Sequence, residues 1–249
     1  MIFDVDGTLV DSERDGHRVA FNLAFEEFDL PYRWDVDEYG ELLHTTGGKR
    51  RIDRYLASQG VDEDERERLA PALHERKTEI MNRLVEEGAV EVRPGARRLL
   101  EELAEQGYRL AVATTGSRGW VEKLLGRLLP GVEFEVTVTG DEVENRKPDP
   151  EAFVIALERL GVEAHEAVVV EDSGEGVEAA VAADIPCVVV VNGYTRDHEL
   201  SAAGLVLDGF GEPDDPAEVL ADPAETGCTG VLDVKTLLAL TRSHSPAEA

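Results

Sequence analysis

From residue 95 onward the chain alternates short apolar runs with helical stretches, and few folds tolerate that alternation. Helical patterns cover 95–107, 117–129, 149–160 and 174–183, with strand patterns at 109–114, 133–139, 167–171 and 186–191. Strands alternating with helices build a parallel sheet through right-handed crossovers. The runs AVVVE and CVVVV lack polar alternation, as strands covered by helices on both faces require. A further strand over 204–207 and a last helix over 234–240 complete this part of the chain. Residues 211–230 are rich in Pro, Asp, Gly and Thr and are expected to form a surface loop.

The apolar opening, residues 1–3, belongs with these strands, but the segment that follows shows helical periodicity alone. His17, Phe21, Phe25 and Phe28 share one face, as do Ile52, Tyr55 and Leu56, then Leu69, Leu73, Ile80 and Leu84. The expected architecture is an α/β fold: a Rossmann-like parallel sheet flanked by helices, formed by 1–11 and 93–249, with an all-helical domain inserted over 12–92. At 249 residues and 42% hydrophobic, the chain has apolar material for one sizeable core and a smaller attached domain.

Lysine and arginine total 25 against 53 acidic residues, a formal net charge of -28. Such a field repels nucleic acid and anionic membranes, so neither is an expected partner. The acids are dispersed through helices and loops, and lysine is scarce: five lysines stand beside twenty arginines. Dispersion argues for a hydrated, halophilic surface suited to a salty cytoplasm rather than an acidic face for a basic partner. Cys187 and Cys228, the two cysteines, offer neither a disulfide framework nor a cysteine-metal site. The longest apolar run, 187–191, is far too short to span a bilayer, and no charged segment with a following apolar stretch opens the chain. A soluble, cytoplasmic protein is expected, as a monomer or small homo-oligomer.

Chemistry concentrates where the strands end. The first strand runs into Asp4-Val5-Asp6-Gly7-Thr8, and in open α/β folds the carboxyl edge of the sheet carries the site. Alternation along extended chain turns residues i and i+2 to one side, so Asp4 and Asp6 can address one substrate atom. One carboxylate can attack while the other moves a proton, which points to phosphoryl transfer. Other strands end in Thr114 and Thr115 and in Glu171 and Asp172, and Lys147 stands in RKPDP ahead of a helix. Two aspartates from different strands, with a backbone carbonyl, make a hard-oxygen site suited to Mg²⁺, whose octahedron water and substrate phosphate complete. Read singly, each piece has a plainer meaning: an acidic turn, threonines satisfying strand ends, a solvated helix start.

Taken in order, DVDGT, Thr114 after an apolar strand, Lys147 before Pro148, and EDS resemble the four motifs of the haloacid dehalogenase superfamily. The resemblance covers almost the whole chain. The helical insertion resembles that superfamily's small cap, and DVDGT favours its phosphatases and phosphomutases over its dehalogenases. The resemblance implies that Asp4 is the nucleophile, forming an aspartyl-phosphate, and that Asp6 protonates the leaving oxygen and then deprotonates water. It implies that Thr114 hydrogen-bonds the transferring phosphoryl group while Lys147 offsets its charge. Mg²⁺ would be held by Asp4, the Asp6 carbonyl and Asp172, with Glu171 behind them. Thr115, Gly116 and Ser117, at a helix start, would also hold phosphate.

Within the helical segment, TTGGKRR (45–51) opens a helix with Gly47 and Gly48 and puts Lys49 and Arg50 in its first turn, Arg54 lying on the Arg50 face. Cations there oppose the helix dipole, so a bound anion is one reason to find them; solvated surface is the other. The same two readings apply to Lys77, and His17 is either a packed helix residue or one that reaches the leaving group. The stretches ERDGHRVAFN, WDVDEYGELL, GGK and ATTGS look like the CbbY-type proteins. That resemblance implies a phosphatase of small phosphorylated sugars, with xylulose 1,5-bisphosphate as a substrate able to use two anion sites. A β-phosphoglucomutase-like mutase shares the core motifs and stays open. A catalytically silent binding protein is a third reading, disfavoured by the four intact motifs.

Overall fold

The computed structural model describes residues 1–45 and 47–244; Thr46, in the glycine-rich stretch noted above, lies outside them. The chain divides into two compact units, residues 1–11 with the chain from Val92 onward, and Ser12–Glu91. The division falls one residue before the expected one. Val10 bridges Val92, and Arg93 N donates to Leu9 O at 2.9 Å, which ties Val92 to the sheet unit.

Strand β1 (Ile2–Phe3) opens the chain, and the Ser12–Glu91 unit then folds as α1 (Arg18–Glu27), α2 (Val36–Leu43), α3 (Gly48–Ser58) and α4 (Glu63–Glu86). The sheet unit continues with α5 (Ala96–Glu105), β2 (Ala111–Ala113), α6 (Arg118–Leu128), β3 (Val136–Val138), α7 (Glu151–Leu160) and β4 (Val169–Glu171). It ends with α8 (Gly174–Ala182), β5 (Cys187–Val190), β6 (Leu205–Leu207), β7 (Val219–Ala221) and α9 (Val234–His244).

The strands form one seven-stranded sheet in the order β3-β2-β1-β4-β5-β6-β7. Every pairing is parallel except β6 with β7. This α/β architecture agrees with the sequence reading. Val112, Val169, Val170 and Val188 are fully buried, because helices cover both faces and a branched apolar side chain suits either side. β1 lies between β2 and β4, with Ile2 level with Ala111 and Val169, so the residues that follow these three strands emerge side by side.

One segment differs from expectation. Val219–Ala221, inside the stretch read as loop, pairs antiparallel with β6 through Val206↔Ala221 and Leu207↔Val219. Three residues, two half-buried and one exposed, are too few to display a period, and the Gly, Pro and Asp on either side hide them.

In the helical unit, α1 and α3 pack on α4. The apolar period is completed by aromatic residues from the connecting segment: the Trp34 ring lies 4.9 Å from Phe21, 4.9 Å from Phe25 and 5.1 Å from Tyr55, centre to centre. Such pairs contribute about 0.5–1.5 kcal/mol each beyond the area they bury. Asn22 clamps that segment, accepting from Trp34 N and donating to Trp34 O, both at 2.8 Å. Asp35 and Asp62 cap α2 and α4 by accepting from Glu38 N and Glu65 N. No helix among the described residues is long and apolar enough to cross a membrane.

Candidate active site

Asp4 follows β1, Thr114 follows β2, and Glu171 ends β4 with Asp172 behind it, so parallel pairing gathers them at one edge of the sheet. Asp4 N donates to Val170 O at 3.0 Å, which fastens the first motif to the fourth. Lys147 comes from the segment before α7. Its Nζ donates to Asp4 Oδ1 at 2.8 Å, to Ala113 O at 2.9 Å and to Glu171 Oε1, and lies 4.9 Å above the Phe153 ring. Glu171 Oε2 accepts from Asp172 N, Ser173 N and Ser173 Oγ.

All four groups are buried: Asp4 and Lys147 are 7% exposed, Asp172 6% and Glu171 1%. Lys147 pairs with two of the three carboxylates, and Asp172 lies close to both of these, with Arg93 as its cationic neighbour. Burial lifts Asp4 to about 7, against the pull of Lys147 and with the Glu171 charge adding to the rise. Burial also pushes Asp172 well above the usual carboxylate range, reinforced by Glu171 and Asp4. Desolvation works against the Lys147 ammonium, but Asp4 and Glu171 outweigh it and raise its pKa. The cluster is short of positive charge. Ligand atoms of Asp4, Glu171 and Asp172 lie within 4.8 Å of one another, a set of hard oxygens that fits a divalent cation and would be relieved by one.

The remaining predicted residues are placed as follows. Asp6 lies beyond the strand, in a turn where Gly7 has φ +90°, and its carboxylate accepts from Trp120 Nε1 rather than joining the cluster. Strand alternation therefore does not orient it, since β1 stops at Phe3. Thr114 Oγ1 accepts from Gly116 N at 3.3 Å. Thr115, Gly116 and Ser117 lead into α6, where Ser117 takes the cap position without a side-chain cap bond.

Several supporting residues were not singled out from the sequence. Asp172 accepts from Thr8 Oγ1 at 3.1 Å and from Asn192 Nδ2 at 2.7 Å. Asn192 ends the apolar run of β5 as Thr114 ends that of β2, so the strand-end rule could have found it. Arg93 donates to Gly7 O and Val190 O at 2.7 Å and to Val191 O at 2.6 Å, holding the first motif's turn beside the end of β5. Gly7 has a second constraint: a Cβ there would lie 2.6 Å from Asp172 Oδ2.

In the helical unit, Lys77 is buried, its Nζ 3.0 Å from His17 Nδ1 and 4.9 Å from the Phe21 ring centre. Burial, then the cations Lys77 and Arg51, hold the His17 pKa well below its ordinary value. Lys49 and Arg50 are exposed. Gly48 packs closely, since a Cβ there would lie 2.9 Å from His74 Cδ2. The buried arginine is Arg51, which donates to Leu42 O at 3.1 Å and to Tyr39 Oη at 3.0 Å; Tyr39 in turn donates to Glu13 Oε2 at 2.5 Å. Its spacing of four from Tyr55 marks it as inward, a signal the sequence reading passed over.

A sequence profile described as haloacid dehalogenase-like hydrolase matches residues 1–190. The chain belongs to that family. Among similar proteins, a CBBY-like protein of Arabidopsis thaliana is 41% identical over 221 residues, 86% of this chain and 69% of that one. Protein CbbY of Cereibacter sphaeroides is 42% identical over 219 residues, 85% of this chain and 92% of its own length. Among solved structures, a mutant of CbbY from Rhodobacter sphaeroides in complex with xylulose-(1,5)bisphosphate superposes with a TM-score of 0.75 at 40% identity, covering 84% of this chain and 92% of that one. A putative beta-phosphoglucomutase from Thermotoga maritima gives 0.66 at 30% identity, covering 82% and 91%.

Proposed function

We propose that this hydrolase is a Mg²⁺-dependent phosphatase of small phosphorylated sugars, with xylulose 1,5-bisphosphate as its substrate, working through an aspartyl-phosphate. The observation that carries the reading is the buried set Asp4, Lys147, Glu171 and Asp172. The similarity to CbbY supports the choice of substrate.

In this reading an Asp4 carboxylate oxygen bonds to phosphorus as the bond from phosphorus to the ester oxygen breaks, and Asp6 passes its proton to that oxygen. Water then attacks the phosphorus, its proton goes to Asp6, and phosphate leaves with Asp4 restored. Lys147 stays between Asp4 and Glu171, aligned by three bonds before substrate arrives, and Thr114 donates to a phosphoryl oxygen. Asp4, the Asp6 carbonyl and Asp172 would hold Mg²⁺, while Glu171, the most buried of the three clustered carboxylates at 1% exposed, would stand behind them. When bound, the cation neutralises the nucleophile's charge against an anionic substrate and supplies a Lewis acid for the phosphoryl oxygens. In the helical unit, His17, Gly48, Lys49, Arg50 and Lys77 are the residues assigned to a second phosphate.

The test is phosphate release from xylulose 1,5-bisphosphate, ribulose 1,5-bisphosphate, β-glucose 1-phosphate and phosphoglycolate with Mg²⁺, by the wild type and Asp4→Asn. Fastest release from xylulose 1,5-bisphosphate, lost in a folded Asp4→Asn, is the expected result. Undiminished turnover by Asp4→Asn would overturn the mechanism. Glucose 6-phosphate formed from β-glucose 1-phosphate faster than free phosphate would establish a mutase instead.

A further inference from the structure

The first motif's second aspartate is held by a residue outside every motif. Trp120 Nε1 donates to Asp6 Oδ1 and Oδ2, each at 3.3 Å, so the indole edge lies across the carboxylate. Trp120 is the third residue of α6 and only 9% exposed, and the buried Val121, Leu124 and Leu125 fix that helix. Gly116 completes the arrangement, since a Cβ there would lie 3.2 Å from Trp120 Cδ1 and 3.3 Å from Asp6 Oδ2. Three segments thus meet at one carboxyl group: the turn after β1, the turn after β2, and the first turn of α6.

Asp6 needs such a support. β1 ends at Phe3, and Gly7 turns the chain at positive φ, so sheet register does not set the direction of the Asp6 side chain. The indole N–H is a donor with no acceptor function, so it can hold the carboxyl group but cannot accept its O–H. When Asp6 holds its proton, its O–H must therefore point to an acceptor other than the indole N–H, and the ester oxygen is one. At 3.3 Å and shared between two oxygens, the bond is longer than the usual 2.9–3.0 Å.

We propose that Trp120 is a positioning residue that aims the Asp6 carboxyl at the ester oxygen. This rests on the assignment of Asp6 as proton carrier in the preceding section. Trp120→Phe keeps an aromatic side chain and removes the N–H. Phenyl phosphate, whose leaving oxygen needs the proton, is compared with p-nitrophenyl phosphate, whose leaving group departs as a stabilised anion. The ratio of kcat for phenyl to p-nitrophenyl phosphate is expected to fall about ten-fold or more, part of what a general acid contributes, with KM for both changed by less than about two-fold. Equal losses on the two esters, or none, overturn the proposal. Gly116→Ala, which crowds the same pair without removing the ring, is expected to lower the ratio too and decides the matter if Trp120→Phe does not fold. Asp6→Asn separates the two readings. If it leaves the ratio unchanged, Asp6 is not the proton carrier and the role of Trp120 falls with it; if it lowers the ratio while Trp120→Phe and Gly116→Ala do not, only the role of Trp120 falls.

Discussion

Replacing Gly176 with alanine should damage this protein, although the same change in an ordinary helix helps by about 1 kcal/mol. Gly176 lies in the first turn of α8, and an added methyl there would coincide with the carboxyl of Glu171. That carboxyl is poorly placed to retreat. It is 1% exposed and accepts from Lys147, from Asp172 N at 3.0 Å, and from Ser173 N and Oγ at 3.3 and 3.1 Å. Either α8 shifts off the sheet, an overpacking cost of about 1–3 kcal/mol, or Glu171 moves and weakens charge-assisted bonds of about 1.5–3 kcal/mol each. Because the overlap is nearly complete, the upper end of the first range applies. About 3 kcal/mol lost against about 1 gained leaves a net destabilisation of roughly 2 kcal/mol. In a Glu171→Ala background the methyl has room, so the same change should stabilise by about 1 kcal/mol, a coupling of about 3 kcal/mol. Urea unfolding of the four proteins, followed by circular dichroism and with slopes compared, measures this directly. Gly176→Ala that stabilises the wild type, or that has one effect in both backgrounds, would refute the placement of Glu171 against α8. Phosphate release should fall in Gly176→Ala as well, because Glu171 helps to hold Lys147.

The cluster also sets a pH dependence. Asp4 has a folded pKa raised from the ordinary 3.8 to about 7, so its contribution to stability is complete below 3.8 and is lost as pH rises through about 7. The loss amounts to roughly 4 kcal/mol. Melting temperature in EDTA should therefore fall between about pH 4 and pH 7, and Mg²⁺ should restore it at pH 8; a rise with pH in EDTA would contradict the assignment. Lys49→Ala should raise KM for xylulose 1,5-bisphosphate at least about ten-fold while changing p-nitrophenyl phosphate little, and equal effects would remove the second anion site. If the dispersed acidity is halophilic, the melting temperature should climb from low to molar salt, and a flat response would dismiss that reading.

Much of the molecule was legible along the chain because its signals are local. Runs such as AVVVE and CVVVV declare buried parallel strands through the lack of alternation, and each strand's last polar residue marks the sheet edge, which is how Asp4, Thr114, Glu171 and Asp172 were found together. β7 escaped because three residues, none of them buried, have no period to read. Arg51 escaped because Arg50 stood beside it with the same charge, and only packing against Leu42 and Tyr39 distinguishes the inward arginine from the outward one.

Residue type and order marked the groups that are candidates for chemistry: paired aspartates in DVDGT, a lysine ahead of a helix, an acidic pair after a fourth strand. They left open what surrounds each group. That Lys147 spans Asp4 and Glu171, that burial raises Asp4 and Asp172, and that Trp120 rather than strand register orients Asp6 are outcomes of contacts across separations of 24 to 143 residues. The reason is physical: periodicity and turn chemistry act between near neighbours, whereas desolvation and charge pairing depend on what the folded sheet brings within a few ångströms.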